Sequence, residues 1–164
     1  MAVQKTINFM SSNIKKILFV CHGNICRSPM AEMVMKDLVR KAGLENEFFI
    51  DSAACHTDEI GNAIHWGTRQ KLLEKEIPFT DHRARLIKKS DYDDFDFIVA
   101  MDRENMSDLK FKFPFDRGEK IRKLLDYCGN KDVADPWYTG NFDKTWDDIF
   151  EGCSHLLEEL KPSF

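Results

Sequence analysis

Two kinds of apolar pattern alternate along the chain. Ile17-Leu18-Phe19-Val20 is an unbroken apolar run, as in a central parallel strand covered on both faces. From Ser28 to Ala42 the spacing turns helical through Met30, Ala31, Val34, Leu38 and Val39, and Gly43 stands where a C-terminal cap would. Phe48-Phe49-Ile50 predicts a second short strand that ends in Asp51-Ser52, with Ser52 at the edge where ligands of open α/β sheets gather. Residues 61–76, with Ile64, Trp66, Leu72 and Leu73, predict a second helix that the Ile77-Pro78 pair stops, and a polar connection follows. Phe95 to Met101 predicts a third strand, and Asp102-Arg103-Glu104-Asn105 opens another helix with acids in its first turn. Phe113-Pro114-Phe115 closes that region. Ile121 to Leu125 makes a poor fourth strand, since Arg122 and Lys123 interrupt it, which predicts an edge position. Gly129 to Asn141 reads as a loop from its Pro and Gly content. From Asp143 to Leu160, the apolar residues Trp146, Ile149, Phe150, Cys153, Leu156, Leu157 and Leu160 recur at three and four, an amphipathic helix expected to cover one sheet face. Strands alternating with helices predict a doubly wound parallel sheet.

Length and charge narrow this picture. A chain of 164 residues has room for one substantial core, so residues 14–164 are expected to form a single domain and the mixed stretch 1–13 a loose N-terminal extension. That stretch lacks the continuous apolar segment of a secretory signal, and no run of about 18 apolar residues suggests a membrane span. Acidic residues outnumber basic ones by 28 to 24 and no dense basic block occurs, which argues against nucleic acid as a partner. The five cysteines, Cys21, Cys26, Cys55, Cys128 and Cys153, are odd in number and irregular in spacing. They suit neither a secreted disulfide framework nor a zinc site, and a reducing cytoplasm fits them best.

The candidate chemistry lies where the first apolar run stops. Five residues, His22 to Cys26, separate Cys21 from Arg27; Ser28 follows, and Pro29 opens a helical pattern. A loop between a strand and a helix N-terminus can turn successive backbone N–H groups toward one centre, and so forms an anion cradle for phosphate from residues 22–27. A thiol among such amides, beside a guanidinium, is favoured as thiolate and therefore as nucleophile. Arg27 adds a planar fork of donors for two phosphate oxygens. Ser28 can donate to the Cys21 sulfur and also cap the helix, and Asn24 suits a left-handed backbone position inside the loop. Asp135, extended by the following Pro136, can reach into a pocket mouth, or can simply cap a turn. Asp102 can orient Arg27 or cap a helix, readings that are compatible. Trp137 and Tyr138 flank the Asp-Pro pair and suggest an aromatic wall, with core packing the alternative for Trp137.

The stretch Val20-Cys-His-Gly-Asn-Ile-Cys-Arg-Ser-Pro-Met-Ala-Glu32 closely resembles the signature of the low-molecular-weight protein tyrosine phosphatases. Asp51-Ser-Ala-Ala54, Glu59-Ile-Gly61, His82-Arg-Ala-Arg85, Phe97-Ile-Val-Ala-Met-Asp102 and Asp135-Pro-Trp-Tyr138 extend the resemblance over about residues 15–160. It implies an α/β fold: a three-layer α/β/α sandwich around a central four-stranded parallel sheet, with the phosphate-binding loop between the first strand and first helix. It implies phosphotyrosine hydrolysis through a cysteinyl-phosphate, without cofactor or metal, with Cys21 as nucleophile, Arg27 as phosphate ligand and Asp135 as general acid and base. Phosphotyrosine proteins or peptides and inorganic phosphate are the implied partners. It further implies that Ser52 and His82 tie down the Asn24 side chain, and that Asp102 lies near Arg27.

Two positions depart from the family pattern. His22 replaces a usually aliphatic or small residue, and Asp58 stands where many members carry an aromatic residue at the mouth, so both bear on peptide preference. Ile25 favours tyrosine over arginine phosphatases, which typically carry threonine there. Arsenate reductases need further cysteines after the second helix, and residues 56–127 hold none. The spacing of Cys21 and Cys26 is not the C-x2-C of thioredoxin-like proteins, so redox chemistry enters as regulation, with Cys26 able to capture an oxidised Cys21 as a disulfide.

Overall fold

The computed structural model describes residues 14–162. The loose extension expected over 1–13 lies outside the described residues. Four parallel strands, β1 (Lys15–Cys21), β2 (Phe48–Ala54), β3 (Phe97–Ala100) and β4 (Ile121–Lys123), form one sheet in the order β2-β1-β3-β4. The interrupted apolar pattern of β4 does mark an edge strand, which pairs with β3 alone. The helices are α1 (Arg27–Lys41), α2 (Trp66–Glu74), α3 (Lys89–Asp94), α4 (Arg103–Lys112), the single turn α5 (Pro136–Thr139) and α6 (Phe142–Leu160).

Strand β1 sorts the core. Ile17, Phe19 and Cys21 point to one face, against α1, α2 and α6 through Met30, Val34, Leu72, Ile149 and Cys153. Leu18 and Val20 point to the other, against Ile87, Phe95, Leu109 and Phe113. Because both faces are covered, no polar residue interrupts Ile17–Val20, and all four are fully buried. The result is the expected α/β/α sandwich. The chain runs from β1 outward to β2, then crosses back to β3 on the far side of β1. The C-terminal end of β1 is therefore the topological switch point, where such sheets open a crevice.

Three expectations need correction. Residues 61–65 are not helical; α2 begins at Trp66, where the His65 ring accepts the Gly67 N–H at 3.0 Å, and of its apolar residues Trp66 and Leu73 are exposed. The polar connection after Pro78 contains α3, which has no apolar stripe and is organised instead by Asp91. Its carboxylate accepts the Lys88 N–H at 2.7 Å and the Arg85 fork at 3.0 and 3.2 Å. The loop over 129–141 contains the turn α5, started by Pro136 and ended by Gly140 at φ +67°.

Candidate active site

The loop from His22 to Cys26 is held from outside by its carbonyls. Those of Cys21 and His22 accept from Cys55 N and His56 N at 2.9 and 3.0 Å, extending the β1–β2 ladder past its end. Ile25 O accepts from His65 N at 2.9 Å, and Cys26 O from Met30 N at 3.2 Å and Thr68 Oγ1 at 3.3 Å. With the carbonyls engaged outward, the loop amides are left to face the centre. Asn24 N and Ser28 N lie 3.3 and 3.5 Å from Cys21 Sγ, and Ser28 Oγ lies 3.0 Å from it.

Asn24 is the pivot of this arrangement. Its φ of +62° is the left-handed value that reverses the peptide direction, and asparagine tolerates it better than other L-residues with a full side chain. Fully buried, it spends every polar group: Nδ2 donates to Ser28 Oγ at 2.8 Å and to Ser52 Oγ at 2.9 Å, and Oδ1 accepts from Arg85 N at 3.1 Å. Ser52 in turn donates to Glu32 Oε1 at 2.6 Å. The direction of the chain follows, since each amide hydrogen needs an acceptor. Ser28 Oγ accepts from Asn24, so its own proton is free to go to the Cys21 sulfur. The predicted contact between His82 and the Asn24 side chain is not made; His82 Nε2 lies 2.8 Å from the Asn24 carbonyl. That oxygen can only accept, so Nε2 carries a proton. Ser28 also does not cap α1, whose N-cap position is Cys26. Already inside the first turn, the Ser28 hydroxyl is committed to the loop.

Arg27 leaves the same turn with its side chain buried. Nη1 donates to Asp102 Oδ2 at 2.8 Å and to Val133 O at 3.2 Å, and Nη2 donates to Asp135 Oδ2 at 3.2 Å. Burial works against its charge, yet Cys21, Asp135 and Asp102 more than offset that, and the guanidinium is held above the ordinary arginine range. Both readings of Asp102 hold at once, because its Oδ1 accepts Asn105 N–H at 2.8 Å as the N-cap of α4. Asp135 is likewise both: Oδ1 accepts Trp137 N–H at 3.1 Å as the cap of α5, while Oδ2 reaches Arg27.

The floor of a pocket of about 440 Å³ is formed by Cys21, His22, Gly23, Ile25, Cys26 and Arg27. Asp58, Asp135, Trp137 and Tyr138 rise around it, so Trp137 belongs to the wall and not to the core. Glu59 and Glu104 also line it. Asn24, Ser28, Ser52, His82 and Asp102 stand behind that surface. His22 Nε2 meets Asp58 Oδ2 at 2.6 Å and its ring stacks on His56 at 4.2 Å, so the two departures from the family pattern are bonded to each other.

Sequence reasoning gave no role to Glu32, Arg85, Glu59 or Glu104. Glu32 and Arg85 lay inside the quoted motifs, but only tertiary placement reveals that they anchor Ser52 and Asn24. The Arg85 guanidinium is itself fixed between Asp51 and Asp91. All five cysteines are free. Burial first, then the neighbouring Cys21 and Asp135, push the Cys26 thiol up to about 12. Burial also raises Cys55 and Cys153. Among the described residues no group of three or more His, Cys, Asp or Glu side chains could hold a metal, and no helix is long and apolar enough to cross a membrane.

The family model for low molecular weight phosphotyrosine protein phosphatase matches residues 16–163. The chain belongs to this family. It is 45% identical over 148 residues to the low molecular weight protein-tyrosine-phosphatase YfkJ of Bacillus subtilis, covering 88% of this chain and 95% of that relative. It is 36% identical over 146 residues to PtpA of Staphylococcus aureus, covering 88% and 92%. The crystal structure of YfkJ superposes with a TM-score of 0.86 over 90% of this chain and 95% of that one, at 44% identity. SP-PTP of Streptococcus pyogenes gives 0.82 over 92% and 95%, at 36% identity. The fold expected from the resemblance is the fold of these family members.

Proposed function

We propose that this member of the family hydrolyses phosphotyrosine in proteins by two displacements at phosphorus. In the first, the Cys21 thiolate forms the S–P bond as the P–O bond to tyrosine breaks, and Asp135 delivers a proton to the departing phenolate oxygen. In the second, water attacks phosphorus and gives its proton to Asp135. The S–P bond breaks, inorganic phosphate leaves, and the Ser28 hydroxyl receives the returning thiolate. Arg27 and the amides of residues 22–27 hold the equatorial oxygens in both steps. The observation that carries this reading is the convergence of three donors on Cys21 Sγ with the Arg27 fork and the Asp135 carboxyl at one pocket.

The pairing of Arg27 with Asp135 fits a resting state. A phosphate dianion offers the guanidinium better acceptors, which frees the carboxyl for the proton transfer. Ile25, a branched aliphatic at the pocket floor, cannot position water by a hydroxyl, in keeping with tyrosine and not arginine as the leaving group. Reversible protection of an oxidised Cys21 by Cys26, and a reducing cytoplasmic setting, belong to the same proposal. The direct test is hydrolysis of p-nitrophenyl phosphate and of phosphotyrosine peptides by the wild type, Cys21→Ser and Arg27→Ala. Both variants should lose turnover, and only Cys21→Ser should keep appreciable phosphate or vanadate binding. Retained turnover in Cys21→Ser would end the proposal.

A further inference from the structure

Two apolar residues of α2, Trp66 and Leu73, stay exposed. Trp66 opens the helix and is 71% exposed, although the neighbouring Thr68 and Leu72 are fully buried. It is not isolated on the surface. Its ring lies 5.5 Å from His65 and 6.4 Å from Phe142; His65 stacks on Phe142 at 5.4 Å and meets Trp137 edge-on at 6.4 Å. Trp137, 61% exposed, is already a wall of the active-site pocket, beside Tyr138 at 82%. An aromatic face therefore runs without a break from the pocket mouth to α2. Beyond Trp66 it opens into a surface cleft of about 390 Å³ between α2 and residues 140–143.

The face is built into the packing. A Cβ on Gly67 would lie 2.2 Å from Phe142 Cζ, so the Phe142 ring sits directly on bare helix backbone. That seat fixes Phe142 under His65 and leaves the Trp66 indole outward. A contiguous exposed aromatic surface of this kind marks an interaction site, because leaving rings in water forgoes the gain of burying them. Continuity with the catalytic pocket selects the occupant: the polypeptide that carries the phosphotyrosine.

We propose that the Trp137–His65–Trp66–Phe142 face docks an apolar side chain of the substrate polypeptide, three or four residues from the phosphotyrosine. The ring-to-ring steps of 6.4 and 5.5 Å from Trp137 through His65 to Trp66 set the longest reach that this spacing has to cover. About three or four residues of extended chain cover that reach, at about 3.3 Å each. The inference rests on the phosphatase reading and adds a substrate class to it: phosphotyrosine sites with leucine or an aromatic residue at that distance.

The test uses nine-residue peptides centred on phosphotyrosine, with leucine or serine at the third and fourth positions on either side. Within each enzyme variant, the peptide kcat/KM is divided by that for p-nitrophenyl phosphate, which is too short to reach Trp66. For the wild type, leucine on one side should raise the ratio about tenfold over serine, mainly through KM. Trp66→Ala should abolish the gain, and Trp66→Phe should restore most of it. Equal ratios for leucine and serine in the wild type overturn the inference. So does a fall of both substrates together in Trp66→Ala, which marks a structural role. So does a concentration-dependent dimer that Trp66→Ala dissociates, since a second copy would then cover the face. Hydrolysis of neither substrate by the wild type overturns the phosphatase reading, and this inference with it.

Discussion

Asp102 holds Arg27 with one carboxylate oxygen and the start of α4 with the other, at 2.8 Å in each case. One residue thus joins the orientation of the Arg27 guanidinium to the end of β3. The two duties separate by substitution. Asparagine caps a helix as well as aspartate does but brings no charge. Asp102→Asn is expected to keep the fold and lower kcat/KM about 10- to 100-fold, the effect of a slightly misplaced ligand. Asp102→Ala is expected to lower activity similarly and to cost about 1 kcal/mol more in stability for the lost cap. Steady-state kinetics alongside thermal melts of both variants distinguish these outcomes; equal stability in the two would remove the capping role.

The general-acid role proposed for Asp135 predicts a dependence on the leaving group. Nitrophenolate departs with little proton help, whereas a plain phenolate does not. Asp135→Asn should therefore lose about 10²–10⁴-fold on phenyl phosphate or phosphotyrosine and clearly less on p-nitrophenyl phosphate. Equal losses on both would assign the proton transfer elsewhere and leave Asp135 as the cap of α5.

Behind Asp135, the peptide groups of Ala134 are gripped from α6. Thr145 Oγ1 donates to Ala134 O at 2.7 Å, and Asp148 Oδ2 accepts Ala134 N–H at 3.0 Å. Lys123, buried on β4, secures the base of the same loop by donating to Asn130 O and Asp132 Oδ1. Thr145→Val keeps the shape but leaves a half-buried carbonyl without its side-chain donor, at a cost of about 1 kcal/mol. If Thr145 positions the acid, phenyl phosphate turnover should fall more than p-nitrophenyl phosphate turnover. A uniform fall on both substrates, in step with the loss of stability, would restrict Thr145 to folding.

Thiol reactivity should be sharply divided. Burial first, then Cys21 and Asp135, hold Cys26 as a thiol at neutral pH, and burial chiefly holds Cys55 and Cys153 in the same form. Iodoacetamide at pH 7 should carboxymethylate Cys21 first, with loss of activity and protection by phosphate, while these three stay unlabelled by mass spectrometry. After peroxide, the wild type should recover with dithiothreitol and Cys26→Ser should not. Full recovery of Cys26→Ser would make Cys26 a packing residue only.

Much of this was legible in the chain because the physical requirement was local. An unbroken apolar run predicts a strand buried on both faces, and Ile17–Val20 meets that. A cysteine, a left-handed asparagine and an arginine within seven positions predict a loop that turns its donors inward, and Asn24 N, Ser28 N and Ser28 Oγ do converge on the Cys21 sulfur. What could not be read was set by contacts between distant segments. Helix α3 exists because Asp91 binds Lys88 N and Arg85, a polar arrangement with no periodicity. Ser28 shows the same limit from the other side. Serine before a helical pattern suggests a cap, but the cap position falls two residues earlier, at Cys26, and the Ser28 hydroxyl goes to sulfur. His82 was matched to the right residue but to the wrong atom, since a motif carries no information on which group of Asn24 remains free.

The wiring of Asn24 makes the donor set around the Cys21 sulfur a late product of folding. Its partners come from α1, from β2 and from the segment at Arg85, and the protons that reach sulfur are aimed only when all three are in place. In a chain emerging from synthesis the donors around the Cys21 sulfur are not aimed until some sixty residues further on have been made and docked. On the proposed mechanism, the nucleophile is thereby withheld from incomplete or misfolded molecules. A turnover assay on this protein consequently counts correctly assembled chains, and a lesion at Arg85 or Glu32 would register as a reduced number of competent molecules before it registered as a slower enzyme.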